Sequence, residues 1–256
     1  MDINLFWSYD SRMNLYHDSG YMMDLYRSSM VRAKSLGYKI NFYGDKNAIG
    51  YFSRIVDEFY DISDENFGVV DDLKLYIHSQ QGLDCVTIDG DLILEERLQF
   101  SNFDSVHIYF DFPETKKDIL KEENNIYNGY GDLKRIFEKH RAKDYFPLFN
   151  YDNDFACNTG IIKFNNQVTK DLFLSEFKKI QTYFVQSIEP LENSGFQMKQ
   201  IRFILAQYYY GCLIKNLSIP TSFLSGINRY EHFYGNKKFE TRTKYLVYKI
   251  LLESGL

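Results

Sequence analysis

Proline, cysteine and tryptophan are all scarce: four, three and one respectively in 256 residues. No tract is rich in proline or serine, and no repeat or low-complexity segment is visible, so no linker divides the chain. The three cysteines, Cys85, Cys157 and Cys212, are odd in number and far apart. That spacing excludes a disulfide framework and a zinc knuckle. It fits reduced thiols in the cytoplasm. Basic charge is also lacking. A net charge of −5 weighs against a nucleic-acid partner gripped through its phosphates. A small phosphorylated ligand stays open, because a bound cation can neutralise it. No stretch of about 18 residues is free of charge, as a membrane span would need. The longest apolar run, around 201–214, contains Arg202 and Gln207. The opening MDINLFWSYD has an early acid and no basic region, unlike a secretory leader.

What is present is a globular composition, 45 % apolar, with 22 Tyr and 22 Phe. Large aromatics go mainly to the core, and some are free to stack on a sugar or base. A chain of this length fits one large domain and is long enough to bury a core without staples. Short apolar runs alternate with helical patterns, which predicts an α/β fold around a mixed, mostly parallel sheet. Strands are expected at 3–8, 38–43, 58–62, 84–88, 92–94 and 106–110, and a long one at 155–164. Helices are expected at 19–36, 47–56, 71–80, 169–186, 191–210 and 238–252. Residues 113–150 are polar and read as helices and loops that either cover a site or form a solvated insertion. The organisation expected is one domain over 1–256. Its halves are 1–110 for nucleotide binding and 111–240 for the acceptor side, with a terminal helix at 241–256.

Three groups of residues carry chemistry. Asp89-Gly90-Asp91 follows the apolar run Cys85–Ile88 and precedes Leu92–Leu94. Carboxylates two apart in extended chain point the same way and can share a hard cation. They would stand at the carboxyl end of a buried strand, where open α/β sheets bind ligands. The pattern alone is weak, since 21 aspartates give roughly two such matches by chance. The second match, Asp152-Asn153-Asp154, lies in a polar loop. A turn centred on Gly90 would satisfy the same letters. Further on, His232-x-x-Gly235-x-x-Lys238 offers an imidazole ligand, a close backbone approach and a flexible point charge. His232 is equally readable as a packed histidine. Finally, Asn158-Thr159-Gly160 interrupts an apolar run. Its polar side chains either find internal partners or face a polyhydroxylated ligand. The tail from Lys238 to Leu252 is amphipathic and basic. Packing on the body is its ordinary reading, and an anionic membrane surface is the other.

Lys74, then Asp89-Gly90-Asp91, then Asn158-Thr159-Gly160, then His232-x-x-Gly235-x-x-Lys238 form an ordered set. In that order it resembles the GT-A glycosyltransferases of the glycogenin and lipopolysaccharide-galactosyltransferase type, over roughly residues 1–240. It also resembles bacterial "DXD" sugar-binding-region glycosyltransferases. The resemblance implies a GT-A-like fold and a sugar moved from a nucleotide-sugar, UDP-linked by preference, to a glycan or lipid-linked hydroxyl, with retention. It implies Mn²⁺ or Mg²⁺ on Asp89, Asp91 and His232. The donor would be contacted by Gly90, by Gly235 and Lys238 at its phosphates, by Lys74, and by Trp7, Ser8 and Tyr9 in the loop after the first strand. Asn158 and Gly160 would border the sugar. Catalytic assignments fall on Asp91, Asn158 and Gln197, with Asp111, Asp152 and Gln197 as acceptor candidates. Two features depart from the family: Phe239 and Glu240 stand where Pro and Trp usually follow, and Glu192 and Gln197 are the nearest substitutes for its Asp-Gln pair. Two other readings exist, a non-catalytic nucleotide-sugar or glycan-binding module and a metal-dependent nucleotidyltransferase or phosphohydrolase. The stretch Trp7–Arg12 suits stacking rather than the Gly-rich basic loop of a nucleotidyltransferase.

Overall fold

A computed structural model of the protein describes residues 3–10, 19–65, 73–100, 105–115, 147–149, 155–193, 198–233 and 235–255. The chain starts with β1 (Asn4–Tyr9). Its side chains alternate between two covered faces, Leu5 and Trp7 on one and Phe6 on the other, as a buried strand of a parallel sheet requires. Helix α1 (Ser19–Ser35) ends where the Tyr38 N–H returns to the Ala33 carbonyl and the Gly37 N–H to Lys34, the paired closure of a helix end. β2 (Ile40–Gly44) is buried at every position. Asp45 then caps α2 (Lys46–Phe52), its carboxylate accepting from the Ala48 N–H. β3 (Glu58–Asp61), α3 (Leu73–Gln80) and β4 (Cys85–Ile88) follow.

Beyond β4 come β5 (Leu92–Leu94), β6 (Ile108–Phe110), β7 (Pro113–Thr115), β8 (Phe155–Cys157) and β9 (Ile161–Phe164). Then follow α4 (Gln167–Asn193), α5 (Met198–Leu217), β10 (Thr221–Phe223), β11 (Tyr230–His232) and α6 (Thr241–Ser254). The central sheet has the order β10-β6-β9-β4-β1-β2-β3. Pairs β1–β2, β1–β4, β2–β3 and β10–β6 are parallel. β9 runs against both β4 and β6. This is the α/β, mostly parallel arrangement expected. Two short ribbons, β5–β11 and β7–β8, stand beside it. One apolar cluster joins the sheet to α1 and α2, and another joins it to α4 and α5.

Several expectations change. The single strand at 155–164 is two strands. Asn158 breaks it: its Oδ1 accepts from the Gly160 N–H at 2.9 Å, a side-chain-closed turn that offers the backbone an alternative to the ladder. The chain thereby leaves β7 and enters the central sheet. Helix α4 begins earlier than expected because Asn166 caps it, accepting from the Thr169 N–H at 2.9 Å. α5 lies several residues later than the 191–210 predicted, and 191–193 belong to α4. β10 was not anticipated; it is a three-residue edge strand of intermediate burial. Most of 113–150 lies outside the described residues.

Candidate metal centre

The register of the strands builds the site. Ile88 pairs with Ile161, and the Asp89 N–H donates to the Gly160 carbonyl at 2.8 Å. The chain turns as the Leu92 N–H reaches the Asp89 carbonyl at 3.2 Å. β5 then pairs antiparallel with β11, placing His232 opposite Leu92, and the Phe233 N–H donates to the Asp91 carbonyl at 2.9 Å. The β5–β11 ribbon is thus what carries a late histidine to an early aspartate.

One ligand atom from each of Asp89, Asp91 and His232 lies within 4.8 Å of the others. His232 Nε2 is 3.3 Å from Asp91 Oδ1. Lys238 Nζ is 3.2 Å from Asp91 Oδ2, and Lys74 Nζ is 2.7 Å from Asp89 Oδ1. Lys74 also donates to the Thr159 carbonyl. On its other side, His232 Nδ1 is 2.5 Å from Asp111 Oδ2. A carboxylate only accepts, so Nδ1 carries its proton toward Asp111 and Nε2 is aimed at Asp91. The Tyr230 hydroxyl donates to the second Asp111 oxygen. Asp111 is fully buried, and its carbonyl accepts from the Ser225 N–H at 3.0 Å.

The charges are tightly linked. Burial opposes a charged His232, yet the hydrogen bonds and charges of Asp111 and Asp91 prevail and raise its pKa to about 10. Burial likewise opposes ionisation of Asp91, but His232 and Lys238 hold it well below the usual carboxylate range. For Asp89 desolvation prevails over the pull of Lys74, and the charge of Asp91 adds to the rise. Two carboxylate oxygens and one imidazole nitrogen form a donor set that could hold a divalent cation. Metal–ligand bonds of roughly 2.0–2.4 Å put donors on opposite sides of one ion about 4–4.8 Å apart. The three ligand atoms, all within 4.8 Å of one another, do not exceed that limit, so they could share a single cation.

The other sequence candidates separate. Trp7 is not in a loop: it lies in β1, fully buried, with its indole N–H donating to Ser29 Oγ at 3.0 Å. The strand's alternation sends it into the core beside Leu5. Ser8 and Tyr9 also belong to β1, at its carboxyl end and half-buried; the Tyr9 ring meets Tyr26 edge-on. Gly90 sits under Tyr26, where a Cβ would come within 2.3 Å of the ring. Asn158 is buried and donates to Glu114 Oε1 at 3.1 Å. A Cβ on Gly160 would meet Asp111 Oδ2 at 2.4 Å and His232 Nδ1 at 2.8 Å, so this glycine makes room for that pair. Gly235 opens the 3-10 turn Gly235–Phe239, and Lys238 within it is buried. Gln197 and Asp152 lie outside the described residues. Asp111, expected to face an acceptor, is sealed from solvent and holds His232 instead. Tyr230 was not anticipated. Two signals pointed to them. Asp111 ends a buried strand as Asp89 does, and Tyr230 stands two positions before His232, on the same strand face.

The sequence matches no protein-family model and no curated protein. Among solved structures the chain is similar to galactosyltransferase LgtC in complex with donor and acceptor sugar analogs, at 13 % identity over 80 % of this chain and 71 % of that one, TM-score 0.39. It is similar to the bifunctional glycosyltransferase WbbM at 11 % identity, over 97 % of this chain and 44 % of that one, TM-score 0.39. It is also similar to the CTP:phosphocholine cytidylyltransferase LicC of Streptococcus pneumoniae, at 12 % identity over 96 % and 100 % of the two chains, TM-score 0.46. With TM-scores below 0.5, these overlaps add nothing to the geometry of the site.

Proposed function

We propose that the chain is a cation-dependent glycosyltransferase of the GT-A type. It moves a sugar from a nucleotide-sugar, UDP-linked by preference, to a hydroxyl of a glycan or lipid-linked acceptor in the cytoplasm. One observation carries this reading: Asp89, Asp91 and His232 converge at the carboxyl end of a central strand, flanked by Lys74 and Lys238. Paired carboxylates with one imidazole hold a divalent ion, and two ammonium groups beside it suit a diphosphate better than a neutral substrate.

Asp89, Asp91 and His232 would hold Mn²⁺ or Mg²⁺. The bound ion supplies Lewis-acid stabilisation of the diphosphate leaving group. Asp111 fixes the His232 ring by accepting its Nδ1–H, and Tyr230 fixes Asp111. Lys238 and Lys74 exchange their carboxylate partners for phosphate oxygens as negative charge grows on the leaving group. Holding donor and acceptor in one cleft accounts for much of the remaining acceleration. Retention at the anomeric carbon belongs to this proposal. The three cysteines are buried and form no disulfide, which suits a reducing compartment.

The test is a panel of nucleotide-sugars with Mn²⁺, with products separated and identified. Nucleoside diphosphate plus glycosylated acceptor is the expected pair, lost in Asp91→Ala. Pyrophosphate or free phosphate instead would make the protein a nucleotidyltransferase or phosphohydrolase. Cation-dependent nucleotide binding with no product would make it a binding module. Equal turnover by wild type and Asp91→Ala would sink the site itself.

A further inference from the structure

Helix α6 has two apolar faces. Thr243, Val247 and Leu251 are buried; Val247 and Leu251 belong to the apolar cluster that holds Tyr21, Met22 and Leu25 of α1. The outward side carries Tyr245, Tyr248 and Leu252, which are 70 %, 50 % and 78 % exposed. Their i, i+3, i+7 spacing puts them on one stripe. Phe239, just before the helix, is also exposed. Among the described residues, half of the exposed large apolar side chains therefore fall in this short segment, where chance would scatter them.

The stripe is bordered by cations. Arg242 and Lys249 lie on one side of it and Lys244 on the other, while Glu253 is the helix's one acid. The sign is opposite to the chain's net charge of −5. Existing partners hold these cations loosely. Arg242 reaches Glu231 at 2.8 Å with its side chain 81 % exposed, and Lys249 is 3.9 Å from Glu253. Lys244 lies over the Tyr21 ring at 5.5 Å. Such exposed pairs contribute little and re-partner readily.

We infer that this outward face seats the protein on an anionic phospholipid surface. Tyrosine rings and a leucine would enter the headgroup boundary, and Arg242, Lys244 and Lys249 would meet lipid phosphates. No described helix is long and apolar enough to cross a membrane, so the contact lies in the plane of the surface. Lys238, which pairs with Asp91, stands three positions before the helix. The proposed active site is thereby held close to the membrane, within reach of a lipid-linked hydroxyl. The lipid contact itself does not depend on the sugar-transfer reading.

Flotation with phosphatidylcholine vesicles, with and without phosphatidylglycerol, tests this in the absence of cation and nucleotide. Wild type should float with the anionic vesicles and largely stay behind with the neutral ones. High salt should weaken the binding. Each basic residue near the surface is worth about fivefold in partition, so R242Q/K244Q/K249Q should bind more than tenfold less. Y245S/Y248S/L252S should lose a similar factor. Far-UV circular dichroism and a urea midpoint show that both variants fold. Equal flotation on the two kinds of vesicle overturns the proposal, as do variants that bind like wild type. A dimer in sedimentation equilibrium that Y245S/Y248S/L252S dissolves also overturns it, because a second copy would then cover the face. Failure of sugar transfer in the product assay leaves this result untouched.

Discussion

Two strands of the central sheet, β4 and β6, each deliver an aspartate at their carboxyl ends, and the two ends serve opposite purposes. Beyond β4 the carboxylates of Asp89 and Asp91 are partly open and meet lysines. Beyond β6 the carboxylate of Asp111 is shut away, with both oxygens committed to His232 and Tyr230. Local sequence is nearly the same at the two places, an apolar run and then an acid. What differs is the cover: β11 and the turn after β10 close over β6, whereas the turn after β4 leaves Asp89 and Asp91 partly exposed. Exposure, and not residue type, separates a group free to meet an ion from one that orients its neighbour.

The largest effect should come from removing the sealed carboxylate. Asp111→Ala takes from the buried His232 ring the carboxylate that accepts its Nδ1–H and leaves Asp91, 3.3 Å from Nε2, beside it. Removing one partner of a buried pair costs about 3–5 kcal/mol, and the remaining carboxylate keeps the loss at the lower end of that range. Asp89→Ala, at the open end, should cost less than about 1 kcal/mol. Urea unfolding at neutral pH measures both, and equal losses would erase the contrast. Cation affinity sharpens it from the other side. Asp91→Ala should abolish Mn²⁺ binding measured by electron paramagnetic resonance. Asp111→Asn keeps the shape but weakens the orienting hydrogen bond, and should cost about 10–100-fold. An Asp111→Asn protein with wild-type affinity would remove Asp111 from the site's support. Gly160→Ala pushes a methyl between Asp111 and His232 and should destabilise by about 1–3 kcal/mol, again by urea midpoint.

At neutral pH one further contrast leaves stability unchanged and shows only on acidification; it concerns the covered part of β4. His78 packs there against Thr87 at 3.2 Å. Burial, with help from Lys170, pushes its pKa down to about 3. The unfolded chain takes up that proton first, so the stability of this neutral histidine is complete above about pH 6.5 and is lost on acidification. Each pH unit below that should cost about 1.4 kcal/mol from this group. His78→Gln should flatten the acid limb of a urea-stability profile; an unchanged limb would mean the imidazole is not held neutral.

Much of this was legible beforehand. Hydrophobic alternation and helix-ending glycine located most elements, and the order of the acidic pair, the Asn-x-Gly turn and the late histidine anticipated residues that do meet. Trp7 was misplaced because its type, aromatic and near a strand end, outweighed its position, which the alternation with Leu5 already assigned to the core. The seal over Asp111 was not legible, since it comes from segments more than a hundred residues away. Asn158 was readable either as internally satisfied or as ligand-facing, because sequence cannot show that its Oδ1 accepts from the Gly160 N–H. For Gln197 and Asp152 the described residues give no placement.

The contact between Asp91 and Lys238 joins residues 147 positions apart. Almost the whole chain must be threaded before the β5–β11 ribbon can zip, and loops of that span close slowly. The sheet can therefore be in place while the ion-binding corner is still missing. During refolding, ellipticity should recover ahead of manganese uptake, and a ribosome-bound chain would be metal-blind until β11 emerges.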